Sequence, residues 1–215
     1  MVALPKPVAP PITTLTLFSS LCFVESMGLE RNLSSVNTLK KFQLDNKAAV
    51  VTGSGQGIGR GIALALADVG ANLVINARRE SDVSETAQMV RDLGSEAIEV
   101  VGDIREIGSE TIGDACIDAF GSLDICVNNA SAIQLTGTLQ TDMKRYDLMN
   151  QINARGTFLV SKVCLPHLLK SENPHILNLS PPPDMDPKWF GPHVAYTMAK
   201  FGMSLCVLGM AEEFK

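Results

Sequence analysis

Five short apolar runs, separated by stretches of helical period, constrain the fold of this chain more than anything else in it. "KAAVVT" from Lys47, "ANLVINA" from Ala71, "EAIEVVGD" from Glu96, "LDICVNNA" from Leu123 and "PHILNLS" from Pro174 are each strand-length and mostly apolar. Strands of that kind, each bounded by turn residues, suit a sheet covered on both faces. Between the first two runs, Ile58, Ile62, Leu66 and Val69 recur at helical spacing until Gly70. Further helices are predicted over residues 83–93, closing at Gly94, and 111–120, closing at Gly121, then over 142–169 and 193–213. Crossovers of this length are right-handed and join parallel strands, so the expected fold is α/β, a doubly wound parallel sheet with helices on both faces.

The chain has 215 residues, enough for one domain with a sizeable core. Its net charge of −5 supplies no basic surplus for a phosphate backbone, so small molecules rather than nucleic acid are the expected partners. The five cysteines are odd in number and dispersed, as are the three histidines, which predicts reduced core thiols and no metal site. Residues 1–42 differ from the rest, being proline-rich, then mildly apolar, then polar, and are expected to be a flexible extension ahead of a domain over 43–215. The apolar part, residues 12–24, is too short for a membrane span. Met27 would also serve as a start. The expected compartment is the cytoplasm, with the mitochondrion as the alternative if the extension is a targeting segment.

In a sheet of this kind ligands sit beyond the carboxyl ends of the strands, so the residues following each strand matter most. After the first comes "VTGSGQGIGRG", with five glycines in eleven residues. A glycine-rich turn entering a helix can set backbone N–H groups and the positive helix end against a diphosphate, which makes Gly53, Ser54, Gln56, Gly57, Ile58 and Gly59 the expected cradle. The spacing departs from GxGxxG, and a tight turn without ligand remains the alternative, though it explains one or two glycines better than the whole set. After the second strand Ala77 stands where a ribose-binding carboxylate is usual, and Arg78 and Arg79 follow. A guanidinium suits a 2′-phosphate, so NADP(H) is preferred, while Glu80 and Asp82 keep NAD(H) open. Asp103 and Ile104 follow the third strand and "NNAS" the fourth, placing Asp103 for an adenine amino group and Asn129 and Ala130 along the cofactor.

In "AYTMAK", Tyr196 and Lys200 are four apart and share a helix face. A phenol titrates near pH 10, too high for a base at neutrality; an adjacent ammonium would stabilise the phenolate and could also hydrogen-bond a ribose. Tyr196 would then exchange a proton with a substrate oxygen as hydride moves. A surface Tyr and Lys on an amphipathic helix is the plainer alternative.

Taken in order, "TGSGQGIG", "NNAS", "QINARGTF" and "YTMAK" resemble the motifs of the short-chain dehydrogenase/reductase family, from about Lys47 onward, and the later stretches look like its hydroxysteroid dehydrogenase-like subgroup. The resemblance implies a Rossmann-like fold, carbonyl–alcohol interconversion with NADP(H) or NAD(H), Tyr196 as proton donor or acceptor, and Lys200 as its activator and ribose ligand. It also implies that Asn153 holds a water in a proton relay and that Ser180 hydrogen-bonds the substrate oxygen. Two departures stand out: Pro181 follows Ser180 where the family usually pairs serines, so Ser180 is either re-aimed or without that role, and Ser131 replaces the usual glycine. Family members continue through two further strands, which leaves the fifth strand here at an expected open edge. The rival expectation is therefore a dinucleotide-binding or interaction protein without turnover. Copies are expected to pair through the last two long helices.

Overall fold

A computed structural model describes residues 38–106 and 111–215. The first apolar run forms β1 (Ala48–Thr52), buried at all five positions. Its side chains alternate between two apolar layers. Ala48 and Val50 join Ile112, Cys116 and Cys164 on one face, while Ala49 and Val51 join Ala63, Ala67 and Val83 on the other. With both faces covered, neither parity of the strand can be polar, which is why the run is continuously apolar.

Four more strands, β2 (Asn72–Ala77), β3 (Ala97–Val101), β4 (Ile125–Asn128) and β5 (His175–Asn178), complete a sheet of order β3-β2-β1-β4-β5. All pairings are parallel. The order reverses at β1, so the crevice beyond the carboxyl ends of β1 and β4 is the topological switch point where such sheets take ligands. Helices α1 (Gly57–Asp68) and α2 (Glu80–Asp92) cover one face, and α3 (Thr111–Phe120) lies on the other. α2 starts three residues earlier than its apolar period suggests. Glu80 and Asp82 favour the positive helix end, and Arg79 pairs with Asp82 across that first turn at 2.7 Å.

The long helical stretch expected over 142–169 is continuous but not uniform. It runs as α4 (Met143–Met149), a π-helical segment (Asn150–Gly156) and α5 (Thr157–Leu168). α6 (Val194–Glu213) follows a long connection from β5 and buries Ala195, Ala199 and Met203 while leaving Met198, Leu205 and Leu208 exposed. By length and composition α6 would also satisfy a membrane span, and one third of that window is buried. Among the described residues β5 pairs with β4 alone and stands at the sheet edge, as expected. Cys116, Cys126 and Cys164 are buried free thiols, and burial pushes Cys116 up to about 12. The reading of residues 1–42 as an extension lies outside the described residues except for a 3-10 turn at Thr38–Phe42.

One buried carboxylate ties the amino ends of the central strands together. Asp124 is 4% exposed and accepts hydrogen bonds from Ser171 Oγ (2.6 Å), Ala48 N–H (3.0 Å), Lys47 Nζ (3.0 Å) and Ser122 Oγ (3.1 Å). Burial would raise this carboxyl, but those four donors outweigh it and hold it below the ordinary carboxylate value. A depressed folded-state value contributes stability above the unfolded value of about 4 and loses it as pH falls through the folded one. Asp124→Ala is expected to lower unfolding free energy by about 3 kcal/mol at neutral pH. The same variant should show a smaller acid-side loss of stability than the parent, both read from denaturant midpoints across pH 2–7.

Candidate active site

At the switch point lies a cavity of about 870 Å³. Its adenosine-sized end is bordered by Arg78 after β2 and by Asp103 and Ile104 after β3. Its middle is bordered by Gly53, Gln56, Gly57, Ile58 and Gly59 at the head of α1, and by Asn129 and Ala130 after β4. Tyr196 and Lys200 of α6 close the far end, beside Leu179 and Ser131. Ser54, Asn153 and Ser180, also expected at the site, do not line it.

Three of the five glycines, Gly53, Gly55 and Gly59, are explained by the protein's own packing, which accounts for more of the set than the one or two expected of a turn without ligand. Gly53 has φ +65°, and a Cβ there would stand 2.9 Å from Ala130 Cα. At Gly55 a Cβ would meet Asp82 Cβ at 2.8 Å and Ala77 Cβ at 2.9 Å. At Gly59 it would run into the Gly53 carbonyl and the Asn129 side chain. Gly57 differs: its φ is +58°, and a Cβ would meet nothing within 4 Å. Ser54 is corrected. Its N–H donates to Asn76 O (2.9 Å) and its hydroxyl to Val51 O (2.7 Å), so both donors pin the turn to the sheet.

The head of α1 is nevertheless shaped for an anion. Gln56, at its N-cap, makes no side-chain cap bond, and Gly57, Ile58 and Gly59 border the cavity with first-turn amides that have no intrahelical acceptor. The two arginines after β2 divide. Arg79 is held by Asp82 (2.7 Å) and by Gln56 Oε1 (3.1 Å), whereas Arg78 is exposed with no hydrogen bond or ion pair among the described residues. Asp103 stays ionised because Arg105 binds its carboxylate through two guanidinium nitrogens, at 2.7 and 3.0 Å, with burial opposing and the backbone N–H of Arg105 assisting.

Thr52 organises this wall, and nothing in its local sequence signals that. Its hydroxyl donates to Val127 O (3.2 Å) and accepts from the N–H groups of Asn129 (3.1 Å) and Ala130 (3.2 Å). The Asn129 side chain returns across the gap to the carbonyls of Thr52 (2.9 Å) and Gly53 (3.1 Å).

At the other end, Asn153 lies in the π segment, fully buried, with its amide spent on Ala132: Oδ1 accepts from the Ala132 N–H and Nδ2 donates to the Ala132 carbonyl, both at 2.9 Å. Its side chain positions that loop. π segments often re-aim a side chain at functional sites. Ser180 does not face the cavity either. Its N–H donates to Asn178 O (2.9 Å), and the carbonyls flanking it are held by Lys200 Nζ at Leu179 and by Ser204 Oγ at Pro181 (2.6 Å). The Lys200 ammonium thus rests on Leu179 and beside Met203 Sδ (3.2 Å), and burial lowers its pKa. Burial also raises the Tyr196 phenol, opposite in direction to the activation expected from sequence.

If packing alone requires the turn glycines, their substitution should matter with no dinucleotide present. Gly59→Ala is expected to lower stability by about 2–3 kcal/mol. Gly61→Ala, with open space around its Cβ and a helical position, should be neutral or gain up to about 1 kcal/mol. Denaturant unfolding of the dinucleotide-free variants measures both; equal effects would return the glycines to ligand proximity.

Comparison with known proteins matches this geometry. A hydroxysteroid dehydrogenase-like protein 2 from Danio rerio is 53% identical over 175 residues, covering 77% of this chain and 42% of the relative, so the chain spans under half of that relative's length. A short chain dehydrogenase from Mycobacterium thermoresistibile is 42% identical with a TM-score of 0.76, over 80% of this chain and 64% of its own. A 7α-hydroxysteroid dehydrogenase complexed with NADH and 7-oxo glycochenodeoxycholic acid is 26% identical with a TM-score of 0.74, over 83% of this chain and 69% of its own. A metagenomic short-chain oxidoreductase in complex with NADP is 28% identical with a TM-score of 0.71, over 79% of this chain and 77% of its own. The sequence profile of the short chain dehydrogenases matches residues 47–215, and with it the fold, the switch-point cavity and the Tyr196–Lys200 helix make this chain a member of the short chain dehydrogenase family.

Proposed function

We propose that the protein is an NADP(H)-dependent oxidoreductase interconverting a carbonyl and a secondary alcohol. The observation that carries this reading is one cavity joining an arginine unpaired among the described residues, an uncapped helix head and a Tyr–Lys pair. Its volume and elongated lining suit a dinucleotide. The amides of Gly57, Ile58 and Gly59 would hold the diphosphate. Arg78 would meet a 2′-phosphate, and of the two carboxylates that keep NAD(H) open, Asp82 is already paired with Arg79 at 2.7 Å while Glu80 is exposed. Asp103 would accept from the adenine amino group, and Lys200 would reach the nicotinamide ribose.

A bound nicotinamide cofactor supplies or accepts the hydride. Tyr196 handles the proton. The phenol, raised by burial, is neutral at physiological pH and can donate a proton to a carbonyl oxygen. The names of the Danio rerio relative and of the steroid-complexed neighbour support a steroid-like or lipid-like substrate. The exposed stripe of Met198, Leu205 and Leu208 on α6, with Phe158 on α5, supports pairing of two copies along these helices.

Titration of the 215-residue chain with NADPH and NADH, followed by nicotinamide fluorescence, tests the reading directly. Arg78→Ala is expected to weaken NADPH by about tenfold and NADH hardly at all; equal weakening of both would remove the 2′-phosphate assignment. Tyr196→Phe should cut carbonyl reduction by at least about a hundredfold while leaving NADPH affinity within about twofold. Reduction by the parent enzyme should hold from neutral pH to about 10 and fall above it as the phenol loses its proton; a fall near pH 7 would contradict a donor with a raised pKa.

A further inference from the structure

The geometry points to Ser131, and not Ser180, as the second hydrogen-bond donor to the substrate oxygen. The inference rests on the carbonyl–alcohol reading above and identifies a residue that reading leaves open. Proton transfer from one phenol leaves the other lone pair of a carbonyl oxygen unpartnered in a half-buried site, and a second neutral donor there stabilises the developing alkoxide.

Ser180 is not placed to be that donor. It lies outside the cavity lining, and its segment is fastened at three consecutive points: Leu179 O to Lys200, Ser180 N–H to Asn178 O (2.9 Å) and Pro181 O to Ser204 Oγ (2.6 Å). Those bonds fix the backbone on both sides of Ser180, and Pro181 restricts it directly after, so only rotation about χ1 is left to its hydroxyl.

Ser131 meets the requirements. It borders the same cavity as Tyr196 and Lys200, it is exposed there, and its hydroxyl has no hydrogen-bond partner among the described residues. It is also held rigidly. Before it, the Ala130 N–H is fixed to Thr52 Oγ1 (3.2 Å); after it, both backbone groups of Ala132 are fixed to the Asn153 amide at 2.9 Å. Ala132 and Tyr196 pack against one buried cluster of Met149, Ala195 and Ala199, so the strap carrying Ser131 and the helix carrying the phenol are registered by shared contacts. Two departures in the sequence, a serine where glycine is usual and a proline where a serine is usual, then compensate each other. In the reduction Ser131 keeps its proton throughout; the proton that converts alkoxide to alcohol comes from Tyr196.

The chain has two tyrosines, so in a Tyr146→Phe background the phenolate absorbance reports Tyr196 alone. A hydroxyl that reaches the phenolate, directly or through one water, stabilises it. Ser131→Ala is therefore expected to raise the Tyr196 titration midpoint by about half a pH unit, with Ser131→Thr near the parent and Ser180→Ala unchanged. No movement in Ser131→Ala, or movement in Ser180→Ala instead, overturns the assignment. With NADPH and 9,10-phenanthrenequinone as carbonyl probe, Ser131→Ala should lose about tenfold in kcat/KM at unchanged NADPH affinity, and Ser180→Ala should lose less than about twofold. A parent chain that fails to bind NADPH sinks the proposed function, whereas the phenol titration still decides between the two serines.

Discussion

The site depends on a short polar staple between the ends of β1 and β4. Thr52 Oγ1 gathers two amides and one carbonyl from the strand beside it, and the Asn129 side chain crosses back to the two carbonyls that begin the glycine turn. Parallel strands end with backbone groups that the ladder no longer satisfies, and leaving them buried and unpaired would cost about 1–3 kcal/mol each. The staple satisfies them and also sets how far the two strand ends can separate. Gly59 is part of the same device, because only a residue without a Cβ lets α1 approach the Gly53 carbonyl and the Asn129 amide so closely. The mouth of the cavity, the aim of α1 and the path of the Asn129–Ser131 strap all follow from it.

The opposite wall is set by helices, through a different compromise. A uniform α-helix over 143–168 would keep its hydrogen-bond ladder regular. The π segment interrupts that ladder and places Asn153 inward, where its amide exchanges two 2.9 Å hydrogen bonds with Ala132. The strap after β4 is thereby fixed at both ends, by Thr52 on the sheet side and by Asn153 on the helix side. α6 packs onto the π segment's neighbourhood through Ala195 and Ala199, and Gly202 lies where a Cβ would meet Ala154 Cβ at 2.6 Å. Close helix approach at that point is what brings Tyr196 to the cavity.

The order of strands and helices was legible because burial on both faces leaves an unmistakable apolar run, and because α1, α2 and α3 stop at the glycines that signal helix ends. The alignment of these residues was legible too: Arg78, Asp103, Asn129 and the Tyr196–Lys200 pair come from four separate segments and border one cavity. Partners across the sheet were not. Thr52 and Asn129 are 77 residues apart, and no local spacing connects them. Ser54 and Asn153 have side chains suited to a ligand, yet the fold spends both on backbone groups, a choice that depends on which carbonyls the tertiary structure leaves open. At Gly53, Gly55 and Gly59 side chains must be absent, as expected, but the neighbours that exclude them belong to the protein itself: Ala77, Asp82, Ala130, Asn129 and the Gly53 carbonyl.

The direction of the two pKa shifts at Tyr196 and Lys200 follows from one cause with opposite signs. Burial penalises whichever form is charged, so it raises the phenol and lowers the ammonium. Spacing of i and i+4 places the two on one helix face, but a shared face does not put the charge against the oxygen. The Lys200 ammonium donates to the Leu179 carbonyl just after β5, where a backbone dipole partly offsets the loss of water. No hydrogen bond joins that ammonium to the phenol among the described residues, and desolvation alone shifts the phenol. Placement on one helix face therefore does not by itself supply the activation that the i and i+4 spacing suggests.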